Sequence, residues 1–154
     1  ISGFTGRETT RIQFSDVRFY RFLLDIGLTP NKTKTIGVLT VPHQFFFDFL
    51  RGHFDGDGSF YSYFDPRWKS SFMYYVSFVS ASKVHLNWLR AQLSVLLTVT
   101  GYVTKSRTVY QLRYAKSESL KIIKKMYHSP RVPCLRRKRT KIFKALKIAG
   151  DLTR

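Results

Sequence analysis

The sequence predicts an α+β protein in which two β-hairpins form a sheet and helices alternate with the hairpins along the chain. Apolar residues recur at three- and four-residue steps in the run 45–54, which is the spacing of one helix face. The alternating runs 59–64 and 72–80 are typical of strands, and so are 101–105 and 108–114. We therefore expect the order helix, hairpin, helix, hairpin, helix.

Composition indicates a folded domain that binds a polyanion. The chain has 154 residues, of which 44% are hydrophobic and 16% aromatic, enough for one domain with a core. Lys and Arg number 27 against 9 Asp and Glu, so the net charge is +18 and nucleic acid is the expected partner. No apolar run approaches the roughly 20 residues that span a bilayer, and the single Cys134 suits a reducing compartment. We expect a soluble, intracellular protein with no membrane partner.

Capping residues set the expected starts of the other helices. Ser15 or Asp16 can cap a first helix. Ser82 can cap the helix between the hairpins, and Ser117 can open the one after them. A last helix then follows from the basic segment 136–141.

The helix predicted at 45–54 runs into the motif Asp-Gly-Asp-Gly. Gly52 and Gly56 lie four residues apart and so fall on one side of that helix. Glycine inside a helix costs roughly 1 kcal/mol against alanine, and close approach of a second helix would explain two of them. Asp55 and Asp57 lie at the negative end of the helix dipole, which is unfavourable unless a cation joins them. The run therefore predicts a helix-packing seam that ends in a cation site.

Spacing argues against two other kinds of metal site. An EF-hand calcium loop that starts at Asp55 needs glycine at its sixth position and glutamate at its twelfth. Phe60 and Pro66 occupy those positions, so this interpretation fails. His53 and His85 have no second His or Cys at ligand spacing, which favours structural roles over a zinc or HNH site.

The stretch 50–58, Leu-Arg-Gly-His-Phe-Asp-Gly-Asp-Gly, resembles the signature of the LAGLIDADG homing endonucleases. The positions in register are Leu50, Gly52, Asp55, Asp57 and Gly58. Arg51 and His53 depart from the signature, at places expected to face away from the seam. The element order over 42–146 also resembles the single-repeat plan of that family. The resemblance implies a LAGLIDADG homing endonuclease fold, an αββαββα repeat with an antiparallel DNA-binding β-saddle.

The resemblance also implies a chemistry. The family hydrolyses both strands of specific DNA targets with Mg²⁺ or another divalent metal, and its members are commonly intron-encoded. Asp57 is the expected side-chain ligand, and the Gly58 carbonyl is the expected second oxygen at the fraying helix end. Lys138 and Lys32 fall where the family keeps a basic residue near the metal-bound water, and both are candidate catalytic residues.

One carboxylate does not cut two strands, so a second motif helix is expected. The seam formed by Gly52, Gly56 and Phe49 would pair with a second repeat, either in a homodimer or from a missing N-terminal half. Residues 14–30 also resemble 114–130, at an offset of 100. Residues 1–40 are therefore expected to form a strand–helix segment, with its strand at 10–14, that resembles the tail of a preceding repeat. The LAGLIDADG domain proper is expected at 41–150.

The sheet face away from the helices is the expected DNA-binding surface. Because alternate strand residues face opposite ways, polar and aromatic side chains collect on this face, and a β-ribbon fits the major groove. The first hairpin and its connection supply one part of the expected set: Ser59, Tyr61, Tyr63, Asp65, Arg67, Trp68, Lys69, Tyr75 and Ser77. The second hairpin supplies Thr104, Ser106, Arg107, Gln111 and Arg113.

Two other functions share these features. An intron RNA maturase, or a non-cleaving DNA- or RNA-binding protein of the same fold, would keep the fold and bind intron RNA or DNA. A ribosomal or structural RNA-binding protein would share the charge, but it has no use for the glycine seam. Retention of Asp57 favours the nuclease.

Overall fold

Two hairpins form one antiparallel sheet in the computed structural model, which describes residues 13–68 and 70–152. The strands are β1 (Ser59–Phe64), β2 (Phe72–Ser80), β3 (Tyr102–Ser106) and β4 (Val109–Tyr114). The helices are α1 (Val17–Asp25), α2 (Phe46–Asp57, after a 3-10 turn at His43–Phe45), α3 (Lys83–Leu97), α4 (Lys116–Met126) and α5 (Arg136–Ala149). The strand order is β1-β2-β4-β3. The predicted α+β class and the alternation of helices with hairpins are confirmed. Lys69 and most of the expected strand at 10–14 lie outside the described residues.

One face of the sheet carries the core. Along β2, Tyr74, Val76 and Phe78 are fully buried, as the two-residue alternation predicts. They pack with fully buried side chains of the helices: Leu50 and Phe54 of α2, Leu86, Leu89 and Leu93 of α3, and Ile122, Ile123 and Met126 of α4. Phe64 lies on the same face but is 55% exposed, with its ring 4.9 Å from that of Phe72 at the loop end of the hairpin.

Two of the described helices begin at a residue whose side chain caps them. The Asp16 and Ser82 side chains accept hydrogen bonds from the backbone N–H groups of Phe19 and His85, so both predicted caps are confirmed. The prediction that Ser117 opens α4 was wrong, because the cap position is Ala115 and the helix begins at Lys116. Within the described ranges, no helix combines the length and apolarity needed to cross a membrane.

A buried hydroxyl explains the start of α4. Ser119 is fully buried in the first turn of this helix. Its Oγ donates to the Tyr114 carbonyl at 2.7 Å and accepts from the Val76 N–H at 2.9 Å. Ser119 therefore fixes the start of α4 through hydrogen bonds to β2 and β4. In most helices a side chain at the N-cap position does this instead.

Arg51 joins the middle of α2 to the loop after α4. Its side chain is buried, and its guanidinium donates to the Met126 carbonyl at 2.7 Å and to the Pro133 carbonyl at 2.8 Å. The third hydrogen bond, at 2.6 Å, goes to the Asp48 carboxylate and holds the pKa of that carboxyl below its usual value. Arg51 thus faces away from the two helix glycines, as expected.

The N-terminal segment touches the core through its last residues. Helix α1 has no buried residue, and Phe22 is 54% exposed. After α1, Leu39 is buried and the Gly37 carbonyl lies 3.0 Å from His85 Nδ1. The described part of the segment is therefore anchored at 36–40, while the apolar face of α1 is open.

Replacing Arg51 by methionine should lower the free energy of unfolding by about 2–4 kcal/mol. Methionine fills the space but leaves buried carbonyls without donors and removes the partner of Asp48. Urea denaturation measures the loss. The control is Arg137→Met, which replaces an exposed arginine of α5 and should change stability little. Equal losses in the two variants would contradict this account of Arg51.

Candidate active site

Helix α2 ends at Asp57 because the chain turns sharply into β1. Gly58 leaves the helix with φ −80° and ψ 165°, and the strand begins at the next residue. A Cβ atom on Gly58 would lie 2.5–2.7 Å from atoms of Phe54, so a larger residue does not fit. Asp57 is exposed at this turn, which places its carboxylate where the helix layer meets the sheet.

The Lys138 ammonium lies at this helix end. It donates to the carbonyls of Phe54 and Gly58, the latter at 2.6 Å, and it lies 4.9 Å from the centre of the Phe54 ring. Partial burial lowers the pKa of Lys138, and the nearby Asp55 opposes that shift. Lys138 therefore neutralises the negative end of the helix dipole. The Gly58 carbonyl, the predicted second metal ligand, already accepts this hydrogen bond.

Two further contacts fix helix α5 against the same turn. Asp55 Oδ2 accepts a hydrogen bond of 2.8 Å from the backbone N–H of Leu135, the residue that precedes α5. Lys141 Nζ donates to the Phe60 carbonyl in β1 at 2.9 Å. The start of α5 is thus held beside the end of α2.

One face of α2 lines a cavity of about 510 Å³. Phe49, His53 and Asp57, at four-residue steps, form its wall on α2. The segment after α1 forms another wall and contributes Lys32, and Ser80 closes the end near β2. The two candidate catalytic lysines therefore lie in different places: Lys32 shares the cavity with Asp57, and Lys138 lies under the helix end.

The fold stacks two histidines that are far apart in sequence. The rings of His53 and His85 lie 5.2 Å apart at 18°. Because a carbonyl only accepts, neutral His85 carries its proton on Nδ1, facing the Gly37 carbonyl. Burial lowers the pKa of both rings, and with His85 nearby the pKa of His53 falls to about 4. Spacing along the chain gave no sign of this contact.

The stability of the protein should fall as the pH drops from about 6.5 to about 4. In the unfolded chain His53 takes up a proton near its ordinary pKa of 6.5, but in the folded protein it does so only near 4. Protons therefore favour the unfolded state in this window, at a cost on the order of 3 kcal/mol from His53. The variant His53→Phe should lose less stability over the same window.

Urea denaturation at several pH values between 7 and 4 tests this expectation. The control variant is His43→Phe, which removes an exposed histidine and should follow the wild-type dependence. If His53→Phe also follows the wild-type dependence, the buried ring is not the group that titrates.

The donors near Asp57 fit a shared metal site better than a closed one. Among the described residues, no group of three His, Cys, Asp or Glu side chains lies close enough to hold a metal ion. An exposed carboxylate and the carbonyl oxygens of a helix end are hard oxygen donors, which suit Mg²⁺ or Ca²⁺. The residues present therefore fit a magnesium ion that takes further ligands from phosphate, water or a second protein chain.

The glycine face of α2 is open in this chain. Gly52 and Gly56 are exposed, and a Cβ atom on either would meet no other atom of the described structure within 4 Å. Phe49, predicted as a third seam residue, is half-buried, with its ring 5.9 Å from that of Trp88 in α3. Packing within the described chain does not require either glycine, so contact with another helix stays the expected reason for them.

Alanine at Gly52 should stabilise the unpaired chain, whereas alanine at Gly58 should destabilise it. At Gly52 there is room for the methyl group and helix propensity favours alanine, a gain of up to about 1 kcal/mol. At Gly58 the methyl group collides with Phe54, which should cost about 1–3 kcal/mol. Denaturation at low protein concentration measures both changes, and a loss of stability in Gly52→Ala would show that the glycine is needed within the single chain.

The strand register places the predicted sheet-face residues on one surface. Ser59 pairs with Ser77, Ser77 with Arg113, and Arg113 with Tyr102, so one row crosses all four strands. Ser77 is buried within this row, with its Oγ 2.7 Å from Ser59 Oγ and 3.1 Å from Gln111 Nε2. The other predicted strand residues of this face are Tyr61, Tyr63, Tyr75, Thr104 and Ser106. Tyr102 was missed, although it lies two residues before Thr104 and the alternation could have found it.

The hairpin ends present the predicted arginines and Trp68. Asp65 is buried and accepts three hydrogen bonds of 3.0–3.1 Å from the backbone and guanidinium of Arg67. Its oxygens thus shape the β1–β2 connection, from which Arg67 and Trp68 project into solvent. Arg107 is exposed in the β3–β4 turn at φ 48°.

A helix layer on one face of a four-stranded antiparallel sheet defines an α+β protein of αββαββα order, and homing endonucleases are among the solved structures similar to it. One is I-TnaI, at 23% identity over 66% of this chain and 69% of that chain, with a TM-score of 0.48. Another is I-CvuI, solved in complex with the I-CreI target in the presence of Mg with the DNA not cleaved. Its identity is 14% over 70% of this chain and 68% of that chain, with a TM-score of 0.49. No protein-family model and no curated protein sequence matches the chain.

Proposed function

We propose that this protein is a site-specific DNA endonuclease that hydrolyses both strands of a duplex with a divalent metal. The observation that carries the proposal is the position of Asp57. This exposed carboxylate ends the helix whose Gly52 and Gly56 face is bare, so pairing that face brings two such carboxylates together. A double-strand break requires cleavage of two phosphodiesters, one in each strand, and the paired helices would supply one carboxylate for each.

Asp57 would hold the metal, which supplies charge neutralisation at the phosphate and an activated water. The Gly58 carbonyl would join it only by giving up its hydrogen bond of 2.6 Å with Lys138. The carbonyl of Gly56, an exposed residue in the same last turn, is therefore the better second oxygen. Lys138 would hold the helix end in place, while Lys32 would present its ammonium in the cavity that it shares with Asp57.

The partner helix would come from a second repeat. A homodimer is one source. The other is a preceding repeat of the same polypeptide, which the exposed face of α1 supports. Phe22 corresponds to the fully buried Ile122 of α4 at the offset of 100, yet it is 54% exposed. In this arrangement α1 would pack on a preceding repeat as α4 packs on this one.

The sheet face and the charge of the chain support duplex DNA as the substrate. A net charge of +18 attracts phosphates, and Arg67, Arg107 and Arg113 place guanidinium groups at the hairpin ends and on the sheet face. Polar side chains such as Gln111 and Thr104 can reach base edges in a major groove. Binding should therefore weaken steeply as salt is raised.

Asp57→Asn should abolish cleavage while leaving DNA binding intact. The substitution removes the charged metal ligand, and a loss of about 10³-fold or more in rate is expected. A plasmid library of long random targets, digested with Mg²⁺ or with a chelator, selects the cleaved sequences. The matched control is Asp25→Asn, an exposed aspartate at the end of α1, which should cleave like the wild type.

Two outcomes would count against this proposal. Cleavage by Asp57→Asn at the wild-type rate would remove Asp57 from the reaction. Absence of cleavage by the wild-type protein on any library member, with DNA binding retained, would favour a binding protein of the same fold. Sedimentation of the wild-type chain reports whether it pairs with itself.

A further inference from the structure

His85 is a fully buried histidine that binds the N-terminal segment through one hydrogen bond. It lies in the first turn of α3, and its Nδ1–H donates to the Gly37 carbonyl at 3.0 Å. Among the described residues, this is the one hydrogen bond between residues 13–40 and the rest of the domain. The buried Leu39 adds an apolar contact, whereas helix α1 adds no buried residue. His85 therefore supplies the directional contact that anchors the segment.

Packing alone does not explain why a histidine lies at this place. Its Nε2 is buried and has no hydrogen-bond partner among the described residues. An unpaired buried polar atom destabilises a fold, and an apolar side chain would avoid that loss. The next core residues of α3, Leu86 and Leu89, are indeed apolar and fully buried. What the imidazole adds over such a side chain is the hydrogen bond to Gly37.

One turn of the backbone connects Gly37 to Lys32. Gly37 follows Ile36, whose N–H donates to the Lys32 carbonyl at 2.8 Å. The turn 32–36 is therefore closed by its own hydrogen bond, and His85 fixes the residue directly after it. The Lys32 and His85 side chains also line the same cavity, together with Asp57. A movement of Gly37 away from His85 would thus carry Lys32 with it.

We propose that His85 is a positioning residue that keeps Lys32 in the cavity beside Asp57. Lys32 is exposed, and its ammonium makes no hydrogen bond within the described part of the chain, so its place depends on its backbone. A misplacement of about 1 Å in an active site can lower a rate roughly 10²-fold. The kinetic part of this inference rests on the proposed cleavage of DNA, whereas the anchoring of Lys32 by His85 does not.

Hydrogen exchange in the free protein tests the anchor with a matched pair of variants. His85→Asn and His85→Leu introduce side chains of nearly the same shape, but only asparagine can donate to the Gly37 carbonyl. In His85→Leu the backbone N–H of Ile36 should exchange about 3- to 30-fold faster than in the wild type, because the segment opens without breaking that bond. In His85→Asn it should exchange within about threefold of the wild type. The N–H of Ile122 in α4 should be unchanged in both variants, which separates release of the segment from loss of the fold.

Cleavage rates at saturating DNA test the role in the reaction. Lys32→Gln removes the ammonium and should lower kcat about 10²- to 10³-fold. His85→Leu should lower kcat about 10- to 100-fold with little change in KM, and His85→Asn should restore most of the rate. Added to Lys32→Gln, His85→Leu should lower kcat by less than about twofold more, because it acts through the ammonium. Lys34→Gln removes an exposed lysine of the same turn and should cleave like the wild type.

Each part of the proposal can be overturned separately. Wild-type exchange at Ile36 in His85→Leu would show that apolar contacts alone hold the segment. Wild-type cleavage by His85→Leu, or an undiminished effect of that change in the Lys32→Gln background, would show that His85 does not act through Lys32. If the wild-type protein cleaves no DNA, the proposed function fails, and hydrogen exchange still decides whether His85 holds Lys32 in place.

Discussion

The end of helix α2 depends on one ammonium group. Two aspartates in the last turn of a helix oppose its dipole, and the Lys138 ammonium on the carbonyls of Phe54 and Gly58 compensates them. This interaction requires α5 to lie against the turn, where Asp55 and Lys141 hold it. The turn that carries Asp57 is therefore held by a helix that begins far along the chain.

Much of the fold could be predicted because strands and helices each produce a regular pattern of apolar residues along the sequence. The limits of β1 and β2 follow from two-residue alternation alone. The role of Arg51 could not be predicted in this way, because its hydrogen-bond partners include the backbone carbonyls of Met126 and Pro133. Because every residue carries a backbone carbonyl, the sequence does not indicate which carbonyl a side chain will contact. The start of α4 was misplaced for a similar reason, since the bond that fixes it comes from a buried serine to another strand.

The candidate site also has one part that the sequence could predict and another that it could not. Asp57 and the bare glycines could be identified from a short motif with fixed spacing. The stacking of His53 on His85, and the cavity that holds Lys32 beside Asp57, arise where separate elements meet. The motif also could not show that the Gly58 carbonyl is engaged, because its partner Lys138 belongs to another helix. Motifs therefore identify a candidate group, whereas tertiary contacts decide which neighbouring atoms are already engaged.

The open glycine face has a consequence for engineering. Since the single chain has space above Gly52 and Gly56, it can carry a bulky knob there without disturbing its own core. Under the proposed pairing, two such knobs would collide, whereas one knob could be matched by a hole on the opposite helix. Complementary knob and hole versions would then join as an obligate heterodimer. If cleavage also proceeds as proposed, a pair in which only one half keeps its aspartate would nick a single strand.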